Sequence, residues 1–151
     1  MVLVSACLAG IRCTYNGRDR EIWWVKRMVM EGKAIPLCPE VLGGLPIPRP
    51  PAEIAGGTGD DVLDGKRRVL SIDGKDVTKE FVEGAMMVVK ICEEIGIKEA
   101  ILASESPSCG CRMIHNGTFT GALRSGMGVT AAALRRAGIE AFEPDMWRRK
   151  G

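Results

Sequence analysis

Six of the 151 residues are cysteines, at positions 7, 13, 38, 92, 109 and 111, and no other residue type here is so suited to chemistry. The opening MVLVSACLAG has neither a basic start nor a long apolar stretch, so it does not read as an export signal. A reducing cytoplasm disfavours structural disulfides, which leaves metal binding, redox chemistry or packing as uses for the thiols. Cys7, Cys38 and Cys109 lie beside segments rich in Gly, Pro and Ser, which argues against packing alone. Local C-x₂-C zinc pairs and close ferredoxin spacings are both absent. Three thiolates in one cleft would leave a position open on a tetrahedral metal or a cubane cluster, an arrangement for binding substrate rather than for structure. Sulfur donors favour iron–sulfur or zinc, and spacing alone leaves both open.

Polar groups flank these thiols. Glu40 follows Cys38 by two residues in CPEV, as either a general acid or base in the same cleft or a solvated carboxylate at a turn. Ser106 and Ser108 bracket Cys109 in a turn stiffened by Pro107, and Gly110 permits close backbone approach. Arg12, Tyr15, Asn16 and Arg18 in the first loop, with Arg49 further on, offer stacking and hydrogen bonds to a planar heterocycle, or plain solvation. The lone His115 reads as a hydrogen-bonded surface residue, and Cys92 as packing. Cys13 and Cys111 remain open between spare ligand, resolving thiol and surface residue. AGGTGDD lacks the lysine of a phosphate-binding loop and reads as a flexible loop.

The positions of these residues depend on the elements around them. Residues 2–6 read as a buried strand ending at Cys7, and 34–38 as a second. Ile22, Val25 and Val29 fall at helical spacing, and Gly32 closes that helix. Residues 39–64 hold most of the prolines and are expected to be irregular. Residues 68–72 and 75–77 flank Asp73-Gly74 as a small hairpin. Thr78 caps a helix running to residue 95, because Phe81, Ala85, Val88, Val89 and Cys92 repeat at three and four residues. Residues 99–103 form a third strand, 129–137 a helix, and 140–142 a fourth strand. This order implies an α/β fold in one domain over residues 1–151. It is a Rossmann-like sandwich with a mostly parallel sheet of about four strands and helices on both faces. The three cysteines then share the carboxyl edge of the sheet, where open parallel sheets bind ligands.

Composition limits the partners. With 46% hydrophobic and 26% charged residues the chain is a soluble globular protein, and no apolar run approaches the ~20 residues of a membrane span. A net charge of +2 is too near neutral to predict nucleic acid as the main partner. The basic end Arg148, Arg149, Lys150 reads as a solvated tag.

Several long segments together resemble the thiouracil desulfurase family: VSACLAGIRCTYNG, CPEVLGGLPIPRPPAEI, SPSCG, HNGTFTG and GVTAAALRRAGIEAFEP, in that order along nearly the whole chain. The resemblance implies a [4Fe-4S] cluster held by three cysteines, with the fourth iron free to take the sulfur of a thiolated pyrimidine. Water then replaces that sulfur without net redox change. By this resemblance the ligands are Cys7, Cys38 and Cys109, Glu40 is the acid–base group, and Ser106 or Ser108 is its polar partner. The additional domain of relatives acting on thiolated RNA is missing, which implies a free base or nucleoside as substrate. The rival reading is a carrier or sensor holding zinc or a cluster on the same thiols without turnover. A thiol–disulfide role for Cys109 and Cys111 lacks the helix-start C-x-x-C context.

Overall fold

In the computed structural model, which describes residues 1–150, the chain opens with strand β1 (Val2–Ser5) and a 3-10 turn over Ala6–Ala9. Helix α1 (Trp23–Met30) leads into β2 (Ala34–Leu37), which pairs in parallel with β1. The segment expected to be irregular instead contains helix α2 (Pro39–Leu42), strand β3 (Ala52–Ile54) and helix α3 (Gly59–Leu63). These elements are short, and composition hid them. Pro39 sits at the first position of α2, where a missing N–H costs nothing. Within the expected flexible loop, Thr58 and Asp61 form a capping box that starts α3.

Strand β4 (Val69–Ser71) forms the expected hairpin in part: across the Asp73-Gly74 turn Leu70 bridges Asp76, the Ser71 N–H donates to the Lys75 carbonyl and the Val77 N–H to that of Val69. Its longer pairing is with β3, antiparallel. Helix α4 (Thr78–Ile95) buries Phe81, Ala85, Val88, Val89 and Cys92 as its periodicity predicts. Its start is secured by Asp76 rather than by Thr78. The Asp76 carboxylate accepts the Thr78 N–H at 2.9 Å, while the Thr78 hydroxyl accepts the Val69 N–H.

Strand β5 (Glu99–Ile101) follows, then an unexpected hairpin of β6 (Met113–His115) and β7 (Leu123–Ser125). Helix α5 (Val129–Arg136), strand β8 (Glu140–Phe142) and helix α6 (Pro144–Lys150) complete the chain. The basic end is therefore not a free tag. Lys150 pairs with Glu99 at 2.6 Å, and Arg148 lies 5.5 Å from the centre of the Trp24 ring.

The main sheet is wholly parallel, in the order β2-β1-β5-β8. Pro36 is tolerated because β2 is an edge strand, where a missing N–H breaks no central ladder. The chain steps from β1 outward to β2 and then returns past β1 to β5. Right-handed crossovers in opposite directions place α1 on one face and α4 with α5 on the other, and α4 and α5 pack together. The core between these layers includes Leu3, Val4, Phe81, Ile101 and Leu134, all 2% exposed or less. Each such side chain contributes about 1.5–3 kcal/mol on burial. No helix among the described residues is long and apolar enough to cross a membrane.

Candidate functional site

The reversal of strand order leaves a crevice beyond the carboxyl ends of β1 and β5, as open parallel sheets require. A cavity of about 460 Å³ occupies it. Cys7 reaches it from the 3-10 turn after β1, Cys38 from the junction of β2 and α2, and Cys109 from the loop after β5. The structure thus brings together the three cysteines singled out in the sequence. It adds a fourth thiol, Cys13, which is buried on the same cavity.

Local structure explains how each is held. The Cys7 carbonyl accepts N–H bonds from Gly10 and Arg20, which fold the first loop back over its own turn. Cys38 is the residue immediately before α2, and that short helix lies against α4 with almost no space between the backbones. A Cβ on Gly43 would sit 1.9 Å from the Glu80 carbonyl oxygen, and one on Gly84 1.9 Å from that of Pro39. The Cys109 loop is fastened to α5. Three N–H groups of the first turn of α5, left without partners in the helix, donate to this loop: Val129 to the Pro107 carbonyl, and Thr130 and Ala131 to that of Ser108. Gly128 permits this approach, since a Cβ there would meet the Pro107 oxygen at 2.7 Å.

Glu40 is the group that sequence left between acid–base chemistry and a solvated turn, and it is not solvated. Its side chain is 16% exposed. One carboxylate oxygen accepts the Arg49 Nε–H at 3.0 Å and the other accepts the Ser108 hydroxyl at 2.9 Å. The two serines divide their work. The Ser106 hydroxyl oxygen accepts the backbone N–H of Ser108 and of Cys109, each at 3.0 Å, and so shapes the loop. It also lies 2.9 Å from the Ser108 hydroxyl, whose proton is directed to Glu40. Hydroxyl hydrogens thus run in order from Ser106 to Ser108 to the carboxylate.

Arg49 is 5% exposed and belongs to this frame rather than to a heterocycle. It donates to the Cys13 carbonyl at 2.8 Å and to that of Pro46 at 3.2 Å as well as to Glu40. Of the first-loop residues proposed for stacking, Tyr15 lines the cavity. Arg12, Asn16 and Arg18 are exposed and lie outside its lining, while Arg20 lines it and grips Ser104. His115 also departs from expectation. It stands in β6 on the cavity wall, and its side chain makes no hydrogen bond among the described residues.

The environment favours the protonated form of three cavity thiols, Cys13, Cys38 and Cys109. Burial pushes Cys109 up to about 12. Contact with Cys13 raises Cys38, and burial adds to that rise. Cys13 itself is shifted up to about 11, because contact with Cys7 and burial together outweigh a lowering contact from Cys38. Ligation by these sulfurs therefore releases protons. Among the described residues no three Cys, His, Asp or Glu side chains are set to hold a single metal ion. Several thiols lining one cavity of this size fit a sulfur-ligated cluster, the softest and largest of the candidate groups. Cys111 is buried outside the cavity, where desolvation raises it to about 11, and Cys92 is fully buried on α4. Both are packing residues.

Fold and site define an α/β protein whose sheet edge carries a soft-donor pocket beside a hydrogen-bonded carboxylate. The chain belongs to the 2-thiouracil desulfurase family, whose model matches residues 2–145. It is 49% identical over 138 residues to the uncharacterized protein YbbK of Bacillus subtilis (strain 168), covering 91% of each chain. Among solved structures it is similar to the [4Fe-4S]-dependent thiouracil desulfidase TudS, with a TM-score of 0.87 and 42% identity. The match covers 98% of this chain and 93% of that one.

Proposed function

We propose that this protein removes the sulfur of a thiolated pyrimidine base or nucleoside, with 2-thiouracil as the reference substrate. Water replaces sulfur at the ring carbon: one thiocarbonyl and one water give one carbonyl and one hydrogen sulfide, with no change in redox state. The observation that carries this reading is the Ser108–Glu40 hydrogen bond on the wall of a thiol-lined cavity. Family membership and the likeness to TudS support it.

Cys7, Cys38 and Cys109 would hold a [4Fe-4S] cluster, the first two from just beyond the ends of β1 and β2 and the third from the loop after β5. A cluster held there would supply a soft Lewis acid for the thiocarbonyl sulfur. Glu40 takes a proton from the attacking water. Arg49 keeps that carboxylate in place, and Ser108 orients its second oxygen. Ser106 positions Ser108 and the Cys109 backbone rather than meeting substrate. A carrier or sensor would use the same thiols but has no need of a part-buried carboxylate held on both oxygens.

Anaerobic reconstitution followed by iron and sulfide analysis and an assay of 2-thiouracil conversion to uracil tests the proposal. The expected result is four irons per chain and release of uracil with sulfide. A colourless protein with stoichiometric zinc and no uracil overturns it.

A further inference from the structure

The cavity has a wall that the chemistry above does not use. The β6–β7 hairpin contributes His115, Phe119 and Gly121 to it. His115 Nδ1 is shut off from solvent without a hydrogen-bond partner. No protein group among the described residues bonds to Nε2, and Nε2 is not shut off, so it is the accessible ring nitrogen of a side chain on the cavity wall. A proton on Nδ1 would be a buried donor with no acceptor, whereas a proton on Nε2 leaves only a buried lone pair, the lesser cost. The accessible nitrogen of His115 therefore carries the N–H.

Phe119 stands close by in the same hairpin. Its backbone has φ of 57°, a left-handed conformation rare for a bulky side chain. The buried Glu53 carboxylate imposes it by accepting the N–H groups of Gly117 and Phe119 at 2.9 and 3.2 Å. The hairpin thus puts a planar aromatic side chain and a single ring donor on one cavity wall, the complement of a planar ring carrying one acceptor oxygen.

We infer that His115 donates its Nε2–H to the exocyclic carbonyl oxygen of the pyrimidine. The hairpin then selects rings that carry an oxygen as well as the sulfur over thiopyrimidines that lack it. The inference rests on the proposed desulfuration and adds a specificity residue to it. Replacing His115 by Phe removes the donor and keeps a planar side chain, and His115→Gln restores an N–H.

Uracil and pyrimidin-2-one binding is measured by calorimetry on cluster-loaded protein, and turnover of 2-thiouracil and pyrimidine-2-thione in parallel. His115→Phe is expected to weaken uracil binding and raise KM for 2-thiouracil by roughly 5- to 10-fold, the loss of one hydrogen bond. Pyrimidin-2-one and pyrimidine-2-thione should be unaffected, and His115→Gln should recover most of the loss. Unchanged uracil binding in His115→Phe, an equal loss for both rings, or no recovery with Gln overturns the inference. A parent protein that binds uracil but desulfurates neither thione overturns the proposed function instead, because the calorimetry reports on His115 without turnover.

Discussion

Ser108 and Glu40, 68 positions apart in sequence, are joined by a 2.9 Å hydrogen bond in which the serine hydroxyl donates to the carboxylate. The bond ties the Cys109 loop to the start of α2, so two of the proposed cluster ligands and the proposed acid–base group share one rigid unit. Glu40→Gln should keep iron content and uracil binding while lowering 2-thiouracil turnover by roughly 10²- to 10⁴-fold, the loss typical of a general acid–base group. Equal activity per cluster would remove Glu40 from the chemistry.

Arg49 and Glu40 form a part-buried ion pair, so removing Arg49 leaves the carboxylate with Ser108 as its one remaining side-chain partner. Arg49→Met should cost less than the about 3–5 kcal/mol of a fully buried pair in denaturant unfolding, because Glu40 keeps partial access to solvent. The double variant with Glu40→Gln should recover part of that loss, since no unpaired charge is then left. An additive double variant would mean that the pair does not interact energetically.

Six cysteines can be sorted by iron content and visible absorption after anaerobic reconstitution. Serine at position 7, 38 or 109 should abolish cluster retention. Cys13→Ser and Cys111→Ser should retain it, and Cys92→Ala should affect packing alone. Loss of the cluster in Cys13→Ser with retention in Cys7→Ser would reassign the first ligand.

Gly84 lies inside a helix, where alanine is ordinarily worth about 1 kcal/mol of stability. Here the added Cβ meets backbone, at 1.9 Å from the Pro39 oxygen, and backbone cannot rotate away. Overpacking should win, with Gly84→Ala losing about 1–3 kcal/mol and holding iron less tightly because α2 carries Glu40 and follows directly on Cys38. Increased stability by thermal melting would show that α2 shifts without cost.

Asp76 links stability to pH. Bonds from the Thr78 hydroxyl and backbone N–H hold its carboxyl below the usual range. A group with a depressed folded pKa contributes stability above its unfolded value, near 3.9, and loses it as pH falls through the folded value. The gap in stability between the parent and Asp76→Ala should therefore be widest near neutrality and narrow below about pH 4. A gap independent of pH would assign the effect to packing.

Local order was legible in the chain itself. The apolar repeat from Phe81 to Cys92 defined α4, the β-branched run before Cys7 defined β1, and together the elements implied a parallel sheet with Cys7, Cys38 and Cys109 at one edge. Periodicity reports which face of an element is buried, and strand ends follow from it. The tertiary structure decided what depends on distant neighbours. Arg49 looks like any loop arginine until its fork closes on Glu40, Pro46 and Cys13. Gly43 and Gly84 look like turn and weak helix residues until α2 and α4 cross. His115 and Phe119 reach the cavity only because three-residue strands pair within a polar loop, too short for periodicity to register. A sequence pattern encodes burial along one element, whereas the pairing of Ser108 with Glu40 exists only when helix α5, by taking the carbonyls of Pro107 and Ser108, turns that loop toward α2.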